Sequence, residues 1–323
     1  MRGLGLERFA YTKGLHELGD GLYAWLAPDG SWGWSNAGLV ADGEASLLVD
    51  TLFDLPLTRE MLAAMRGAEP RAAARIDVLV NTHANGDHCY GNELVAGAEI
   101  VASRAGAAEM GETPPEVLAG MLKGLGGQDS ALGRFVQQAF GAFQFEGIRL
   151  TPPTRTFEGQ LALEVGAKRV ELHEVGPAHT KGDVLVHLPA EGVVWSGDIL
   201  FVEGTPIVWA GPVRNWRAAC DRILAMDAAL IVPGHGPITD RRGVVAVKAY
   251  LDFVEREARA RFEAGLDAWS AARDIELGEF ADWRDSERLA VNVDALYREW
   301  GGAGAKNVLE LFERMAQLRR PSA

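Results

Sequence analysis

Residues 76–89 read Ile-Asp-Val-Leu-Val-Asn-Thr-His-Ala-Asn-Gly-Asp-His-Cys, and this stretch decides the fold. Its first part is a short apolar run, which predicts a buried strand over residues 76–80. The strand leads directly into a polar loop that contains His83, Asp87 and His88. Imidazole and carboxylate groups spaced so closely are typical of a metal-binding loop, since both are good ligands for zinc. The stretch therefore predicts a metal site at the end of a strand.

Three further polar residues occupy the same kind of position, at strand ends flanked by glycine or proline. His179 follows Gly-Pro-Ala, Asp198 ends the run Trp-Ser-Gly-Asp, and His235 lies within Pro-Gly-His-Gly-Pro. Glycine and proline shape tight loops, and loops at one edge of a sheet are where a rigid scaffold presents catalytic groups. These side chains are therefore candidates for the same site.

The composition narrows the class of protein. The chain has 323 residues, of which 48% are hydrophobic and 24% are charged, and its formal net charge is −13. This balance is typical of an ordinary globular protein. The acidic excess argues against nucleic acid as a partner, because phosphate binding uses surplus Lys and Arg. The acidic excess does not exclude small anionic substrates, which a local site can still attract.

The sequence also bears on the compartment. Two cysteines, Cys89 and Cys220, do not make a disulfide scaffold. The first segment, residues 1–20, lacks the pattern of a signal peptide. No apolar run approaches the roughly 18 residues of a membrane helix. We therefore expect a cytoplasmic protein that does not associate with membranes.

The distribution of apolar residues predicts an α/β core followed by helices. Strand patterns recur through the first 240 residues, but amphipathic helical spacing replaces them over about 105–145, which predicts a helical insertion. A further helix is predicted over residues 216–228, and from residue 241 onward every signal is helical. The predicted organisation is a catalytic domain over residues 1–240 and a helical C-terminal extension over residues 241–323.

The six polar residues, taken in order, resemble the metal-binding pattern of the metallo-β-lactamase superfamily. That family has a His-x-His-x-Asp-His loop, then a distant histidine, a bridging aspartate and a last histidine. The resemblance covers roughly residues 20–240 and is to members with a glyoxalase II-like core. It implies an αββα sandwich with a metal cleft at one edge, here enlarged by the helical insertion and the helical C-terminal extension.

The resemblance also implies a centre of one or two metal ions, zinc in the first place, with iron or manganese as alternatives. Its implied ligands are His83, Asp87, His88, His179, Asp198 and His235. One ion would be held by Asp87, His88 and His235, and the other by His83 and His179, with Asp198 bridging the two.

One residue departs from the family pattern. Asn85 stands where the family loop has its second histidine, and a neutral amide is a poor ligand for zinc. We expect either one tightly bound ion with a weaker neighbour, or a two-metal site in which water replaces the lost ligand. Asn85 itself is either a weak ligand or hydrogen-bond donor to the substrate, or a residue that shapes the loop.

The function that the resemblance implies is hydrolysis of a small molecule at an ester, thioester, lactone or amide bond, by attack of a hydroxide bound to the metal. A metal lowers the pKa of bound water to ~7 and stabilises the developing oxyanion. Asp87 and Asp198 would neutralise cationic charge, and a carboxylate can orient the nucleophile or move a proton.

Three alternatives remain open. The first is an iron-dependent redox or dioxygenase member of the same fold, which anaerobic activity with zinc would exclude. The second is a β-lactamase, which usually requires a secretion signal. The third, with the least support, is a non-catalytic binding protein that kept the cleft, and Asn85 is its only support.

Aromatic residues supply candidate substrate contacts. Trp32 and Trp34 follow the first hairpin and either form an apolar wall for substrate or cover the edge of the sandwich. Further lid candidates are Trp209, Trp216, Phe140 and Phe143. Lys181 and Arg214 could hold a substrate carboxylate, although solvated charge is the commoner role of such residues.

The remaining polar candidates have simpler interpretations. Cys89 is expected to be a buried thiol, and Asp183 to brace the loop that carries His179. His16, His173 and His187 have no motif context and are interpreted as ordinary surface or strand histidines. The C-terminal helices pack on the outer face, form a homodimer contact or help to roof the active site.

Overall fold

The chain forms two β-sheets that pack face to face. The structure is a computed structural model and describes residues 3–319. The first sheet has the order β1-β2-β3-β4-β5-β6-β7. Its strands are Gly14–Gly19, Leu22–Leu26, Ala37–Asp42, Ala45–Val49, Val78–Val80, Glu99–Ser103 and Arg155–Phe157. The pairs up to β4 are antiparallel and the later pairs are parallel.

The second sheet has the order β12-β11-β10-β9-β8. Its strands are Gln160–Val165, Lys168–Glu174, Val184–Leu188, Val193–Trp195 and Leu230–Val232. The strands from β8 to β11 pair antiparallel, whereas β11 and β12 run parallel. Parallel pairing is important for the site because it places the carboxyl ends of β11 and β12 at the same edge.

The α-helices of the described residues lie on the outer faces and at the chain end. They are Leu55–Ala68 (α1), Gly86–Cys89 (α2), Arg104–Glu109 (α3), Pro115–Leu125 (α4), Ala131–Phe140 (α5), Val213–Ala225 (α6), Arg241–Glu263 (α7), Ala268–Asp274 (α8), Leu289–Glu299 (α9) and Val308–Leu318 (α10). Short 3-10 helices occupy Ala72–Ala74, Asn92–Val95, Gly197–Ile199, Gly278–Phe280 and Ser286–Arg288.

Alternating side chains divide the apolar residues between the layers. Leu47 and Val49 of β4 face the second sheet and pack in a cluster with Val170 and Leu172 of β9. Leu48, between them, faces outward and packs against α1. On the outer side of the second sheet, Leu185 and Ile231 join a cluster with α6 and α7. The αββα sandwich is therefore confirmed.

The insertion and the extension belong to one continuous apolar cluster. Phe135 and Phe140 of α5 pack in the same cluster as Tyr250 of α7 and Phe312 of α10. The helical insertion predicted over 105–145 corresponds to α3, α4 and α5, and the extension begins with α7 at Arg241. Within the described residues, no helix is both long enough and apolar enough to cross a membrane.

Sequence patterns missed the weakest strands and shifted one helix. β1 (Gly14–Gly19) and β7 (Arg155–Phe157) have mostly polar or half-buried residues and give no apolar signal. The helix predicted over residues 216–228 extends over Val213–Ala225 instead. It ends earlier because the chain turns at Asp227, whose φ of 50° is incompatible with a right-handed helix.

Candidate metal centre

Strand ends place the candidate ligands at one edge of the sandwich. His83 follows β5, Asp198 follows β11 and His235 follows β12, while His179 lies in the loop between β9 and β10. Gly234 precedes His235, and a Cβ atom at this position would collide with Asp198 Oδ1. The loop from β12 can therefore approach Asp198 closely only with glycine there.

Asp198 is the centre of the cluster. Its Oδ1 lies 3.1 Å from His88 Nε2, and its Oδ2 lies 3.3 Å from His179 Nε2. The same Oδ2 is 3.4 Å from His235 Nε2 and 3.7 Å from His83 Nε2. Four imidazoles thus point the same nitrogen at one carboxylate, which is the position that the resemblance gives to a bridging ligand.

Asp87 completes the second half of the cluster. Its Oδ2 lies 3.3 Å from His235 Nε2 and 3.9 Å from His88 Nε2. The Asp87 side chain is 13% exposed, whereas that of Asp198 is 3% exposed. Asp87 is therefore the acidic group of the cluster that solvent reaches most readily.

Each of the four histidines is held through its other ring nitrogen. Nδ1 of His179 donates to the Ile207 carbonyl at 2.7 Å, and Nδ1 of His235 donates to the Trp34 carbonyl at 3.1 Å. Nδ1 of His88 lies 2.9 Å from Asp50, and Nδ1 of His83 lies 3.0 Å from Thr82 Oγ1. Metal-ligating histidines are oriented in this way, with the proton on the remote nitrogen and the lone pair free.

The donor set fits a divalent metal ion. Among residues 3–319, the buried atoms His83 Nε2, His88 Nε2 and Asp198 Oδ1 make no well-aligned hydrogen bond, although the last two lie 3.1 Å apart. Buried polar atoms are rarely left unsatisfied in this way. Two ligand groups each have their donor atoms within 4.8 Å of one another: His83, His88 and Asp198, and Asp87, His88 and His235. Imidazole nitrogen and carboxylate oxygen are ligands that zinc accepts.

Charge is concentrated in this buried cluster. Burial opposes the charge of His235, but the Asp198 and Asp87 carboxylates outweigh it and raise its pKa to about 9. Burial also opposes the charge of Asp87, yet His88 and His235 lower its pKa to about 2. Burial holds the pKa of His179 below its usual value. The ionised carboxylates of Asp87 and Asp198 thus favour a protonated His235, and a bound cation would replace that proton.

The side chain of Asn85 contacts His179. Its amide Nδ2 lies 3.1 Å from His179 Nε2, and because His179 Nδ1 donates elsewhere, Nε2 accepts the hydrogen bond. Asn85 therefore occupies the lone pair that a metal ion would use on this histidine. It lies at the N-terminus of α2, which carries Asp87 and His88.

Two supporting residues escaped sequence reasoning. Asp50 directly follows β4, and its carboxylate accepts hydrogen bonds from the Thr82 amide and hydroxyl, both at 2.7 Å, and from His88. Phe201 stacks on the His235 ring at 5.0 Å with an interplanar angle of 2°. The only available signal for Asp50 was an acidic residue directly after an apolar strand, and nothing local indicated Phe201.

The two tryptophans of the first hairpin differ in environment. Trp32 is 9% exposed, and its ring packs on Phe135, Phe140 and Phe312 at 5.9–6.0 Å. Trp32 therefore fills the core rather than forming an open wall of the cleft. Trp34 is half-buried, packs on Phe143 at 4.9 Å and holds His235 through its carbonyl.

The lid candidates are mostly core residues. Trp216 is fully buried, donates to the Ile199 carbonyl and packs behind His179, so the prediction of a lid was wrong for this residue. Phe140 and Phe143 are also buried, whereas Trp209 is half-buried. Trp209 lies next to His179, and the backbone amide of Trp209 donates to the His179 carbonyl at 3.1 Å.

Several polar side chains have structural partners. Lys181 pairs with Glu112 at 2.6 Å and Arg214 with Glu299 at 3.2 Å, so both charges are already compensated. Asp183 braces the loop as expected, since it accepts from the amides of Ala178 and Thr180. Cys89 and Cys220 are buried thiols. His16 is partly exposed, whereas His173 and His187 are buried.

The chain is similar to a known protein family and to several solved structures. The family model described as the metallo-beta-lactamase superfamily matches residues 30–235. Among solved structures, a metallo-beta-lactamase from Pontibacter korlensis is 19% identical, with a TM-score of 0.58, covering 75% of this chain and 99% of that one. A metallo-beta-lactamase family protein from Thermus thermophilus is 21% identical, with a TM-score of 0.63 and coverage of 91% and 98%.

A third structure also matches the helical C-terminal part. The stereoselective inverting sec-alkylsulfatase Pisa1 from Pseudomonas sp. is 19% identical, with a TM-score of 0.69 over 93% of this chain. This chain spans about half of that protein, with 52% of it covered. At these identities the likeness is one of fold.

Proposed function

The chain belongs to the metallo-β-lactamase superfamily, and from this premise we propose that it is a metal-dependent hydrolase of small molecules. The bond it cleaves is an ester, thioester, lactone or amide. The observation that carries the proposal is the convergence of four histidine Nε2 atoms on Asp198, each with its Nδ1 held by a protein acceptor.

Asp87, His88, His235 and Asp198 would hold the more tightly bound ion. His83, His179 and Asp198 would hold a weaker one, because Asn85 supplies no imidazole. Zinc suits this nitrogen and oxygen set, and iron and manganese are accepted by the same groups. When bound, the metal supplies an acidified water and polarises the carbonyl under attack.

The protein's own groups orient the reaction. Asp50 and Thr82 fix the rings of His88 and His83, so the two Nε2 atoms stay directed at Asp198. Asp87, the accessible carboxylate of the cluster, is placed to accept a proton from the attacking water and to pass it to the leaving group. Asn85 is placed to donate a hydrogen bond to the substrate when its amide leaves His179.

The cleft rim suggests a partly apolar substrate. Trp34 is half-buried, packs on Phe143 and is joined through its carbonyl to His235. We propose that the Trp34 ring forms part of the surface that an apolar group of the substrate would contact. A small molecule in the cytoplasm, rather than nucleic acid or a membrane, is the proposed partner.

The proposal is tested with chromogenic esters, thioesters, lactones and β-lactams, assayed with zinc and with a chelator. A secondary alkyl sulfate is included because one structural neighbour is a sec-alkylsulfatase. We expect chelator-sensitive hydrolysis of at least one carbonyl substrate, lowered by at least about 100-fold in Asp198→Asn. Asp77→Asn is the matched control, since Asp77 lies at the opposite end of β5 from His83 and bonds to Ser46.

Other outcomes would contradict the proposal. Turnover that requires oxygen and iron, and that is absent with zinc under anaerobic conditions, would indicate the redox alternative. Absence of turnover on every substrate by a zinc-loaded, folded protein would support the binding protein instead.

A further inference from the structure

A second cluster of metal-ligand side chains lies on the outer face of the second sheet. Glu171 and His173 belong to β9, two residues apart, and therefore face the same side. The strand register places His187 of β10 directly opposite Glu171. Their neighbours Val170, Leu172 and Val186 point into the core between the sheets. None of the three polar residues belongs to the metal centre described above.

The three side chains approach one another closely. One ligand atom from each lies within 4.8 Å of the others, and Glu171 Oε2 is 3.6 Å from His173 Nε2. The rings of His173 and His187 have centroids 6.1 Å apart. A zinc ion binds nitrogen and oxygen at about 2.0–2.2 Å, so the three donor atoms lie near enough to share one ion after they adjust toward it.

Both imidazoles are buried with an unpaired nitrogen. His173 is 6% exposed and His187 is 7% exposed. The Nε2 atom of each is buried and has no hydrogen-bond partner in the part of the chain that the structure describes. Buried polar atoms are rarely left unpaired. Two such atoms in one place indicate that a group which could satisfy them both binds there.

The charge states suit a cation. Burial lowers the pKa of both His173 and His187, which keeps the rings neutral and able to coordinate. Arg169 donates to Glu171 Oε1 at 3.0 Å and lowers the pKa of that carboxyl, so Oε2 stays ionised and faces His173. A neutral imidazole pair with one carboxylate is a ligand set found in zinc sites.

We propose that Glu171, His173 and His187 form a second site for a divalent zinc-type ion, with water as the fourth ligand. The ion would link β9 to β10 on the face covered by α6. The site lies outside the residues that the proposed hydrolysis uses. It therefore stands or falls independently of that function.

Arg222 opposes metal binding at this site. Its guanidinium donates to His173 Nδ1 at 2.8 Å, which leaves the proton of the neutral ring on Nε2. Coordination through Nε2 requires the proton to move to Nδ1, so the Arg222 contact must break. Arg222 is exposed on α6 and can turn to solvent. We therefore expect binding weaker than at the Asp198 centre, and strengthened when Arg222 is removed.

The test measures zinc bound per chain by equilibrium dialysis and elemental analysis of the full-length protein. At saturating zinc the wild type should bind one more ion than His187→Gln. His16→Gln is the matched control, because His16 is partly exposed and bonds to the Thr12 carbonyl far from both clusters, and it should bind as many ions as the wild type. Ions at the Asp198 centre contribute equally to all three proteins and cancel in the difference.

Arg222→Gln provides the independent measurement. Loss of the charge-assisted hydrogen bond and of the nearby cation should tighten zinc binding at the Glu171, His173 and His187 site by about tenfold. Cobalt at this site should add the visible absorption of a tetrahedral ion, measured as the difference between the spectra of Arg222→Gln and of the double variant with His187→Gln, to which the Asp198 centre contributes equally. Equal zinc content in His187→Gln and wild type would overturn the proposal. An unchanged affinity in Arg222→Gln would also overturn it, and this measurement decides the case if His187→Gln does not fold.

Discussion

At the scale of single residues, Asn85 is the residue of the proposed metal centre that departs from the family pattern. Every other residue of the family pattern is present, and the structure gathers the remaining five candidate ligands around Asp198. The amide of Asn85 instead bonds to His179 Nε2, so it both withholds an imidazole and occupies the lone pair of a neighbour. The two halves of the centre should therefore differ in affinity.

Replacing Asn85 with histidine should give the two halves of the centre similar affinities for zinc. We expect Asn85→His to retain close to two zinc ions per chain after dialysis against a mild chelator, because imidazole is a stronger ligand than an amide. The wild type should retain about one ion at the Asp87, His88 and His235 side. Elemental analysis of the dialysed protein measures the difference.

Asn85→Ala separates the two effects, since it frees the His179 lone pair without adding a ligand. It should retain more zinc than the wild type but less than Asn85→His. If the wild type itself retains two ions equally well after chelation, Asn85 does not weaken the site.

Protonation of His235 should make metal uptake depend on pH. Burial disfavours its charged form, but Asp198 and Asp87 raise its pKa to about 9, so at neutral pH the metal must displace a proton. Apparent zinc affinity should therefore fall as pH is lowered from about 9 to 7, by about tenfold per unit for one displaced proton. His88, whose pKa its carboxylate neighbours also raise against the effect of burial, should steepen the dependence.

Competition with a chromophoric chelator, corrected for the chelator's own protonation, measures this slope. An affinity that stays constant over this range would contradict the assignment of a displaced proton to His235.

At the scale of elements, strand and helix ends hold the site in place. Asp54 is the N-cap of α1 and accepts from the Leu57 amide at 2.9 Å. The second carboxylate oxygen of Asp54 accepts from the backbone N–H of Gln144 at 3.0 Å, where the helical insertion returns to the core. One carboxylate thus fixes both the start of α1 and the end of the insertion.

Asp54→Ala should therefore cost more than an ordinary cap. Loss of an N-cap lowers the free energy of unfolding by ~1 kcal/mol. Here the Gln144 amide also loses its acceptor, which adds about 1 kcal/mol or more. Asp267, the exposed N-cap of α8, serves as the matched control, since its carboxylate bonds to the amide and hydroxyl of Ser270 in the same helix.

Denaturant unfolding of both alanine variants provides the comparison. Equal losses for Asp54→Ala and Asp267→Ala would show that the contact with Gln144 contributes nothing to stability.

At the scale of the whole molecule, one buried arginine joins the C-terminal extension to the core. Arg288 is 2% exposed, donates to the Thr205 carbonyl at 3.0 Å and pairs with Asp285 at 3.2 Å. Its guanidinium lies 4.5 Å from the Trp32 ring and 5.1 Å from the Phe201 ring. Since Phe201 stacks on His235, the extension supports the metal centre through a chain of packed groups.

Arg288→Leu should lower the free energy of unfolding by about 3–5 kcal/mol, because it leaves the buried Asp285 without its counter-charge. Adding Asp285→Asn in the same chain should restore part of the loss. Arg298→Leu is the control: Arg298 is half exposed, and its partner Asp294 keeps a second ion pair with Arg314. Its cost should be under ~1 kcal/mol. Denaturant titration measures all three, and a small loss in Arg288→Leu would show that the ion pair is dispensable.

The residues of the site could be found from the sequence because each follows a local signal. His83, Asp198 and His235 come directly after apolar runs, and parallel strands carry their carboxyl ends to one edge. The alternation of apolar residues predicted strands and an α/β core, and the resemblance to the metallo-β-lactamase superfamily implied the αββα sandwich. Weak strands such as β1 were missed because their residues are half-buried and lack that alternation.

Two questions on oligomeric state and location stay predictions. The helical extension packs on the core and on the insertion. Val308 and Leu309 at the start of α10 are exposed apolar residues that could contact a second copy of the chain, and sedimentation would test for a dimer. The cytoplasmic location likewise rests on the sequence alone.

The sequence by itself determined which candidate ligand residues are present and in what order, because these depend on local spacing and side-chain chemistry. Through the family resemblance, that pattern implied the αββα architecture and predicted a weaker half of the centre at Asn85. Only the tertiary structure decided what surrounds them. The partners of the ring nitrogens, such as Asp50 and the Ile207 carbonyl, come from distant parts of the chain. So do the burial of Trp32 and the approach of His187 to Glu171, since packing and strand register bring together groups that no local pattern relates.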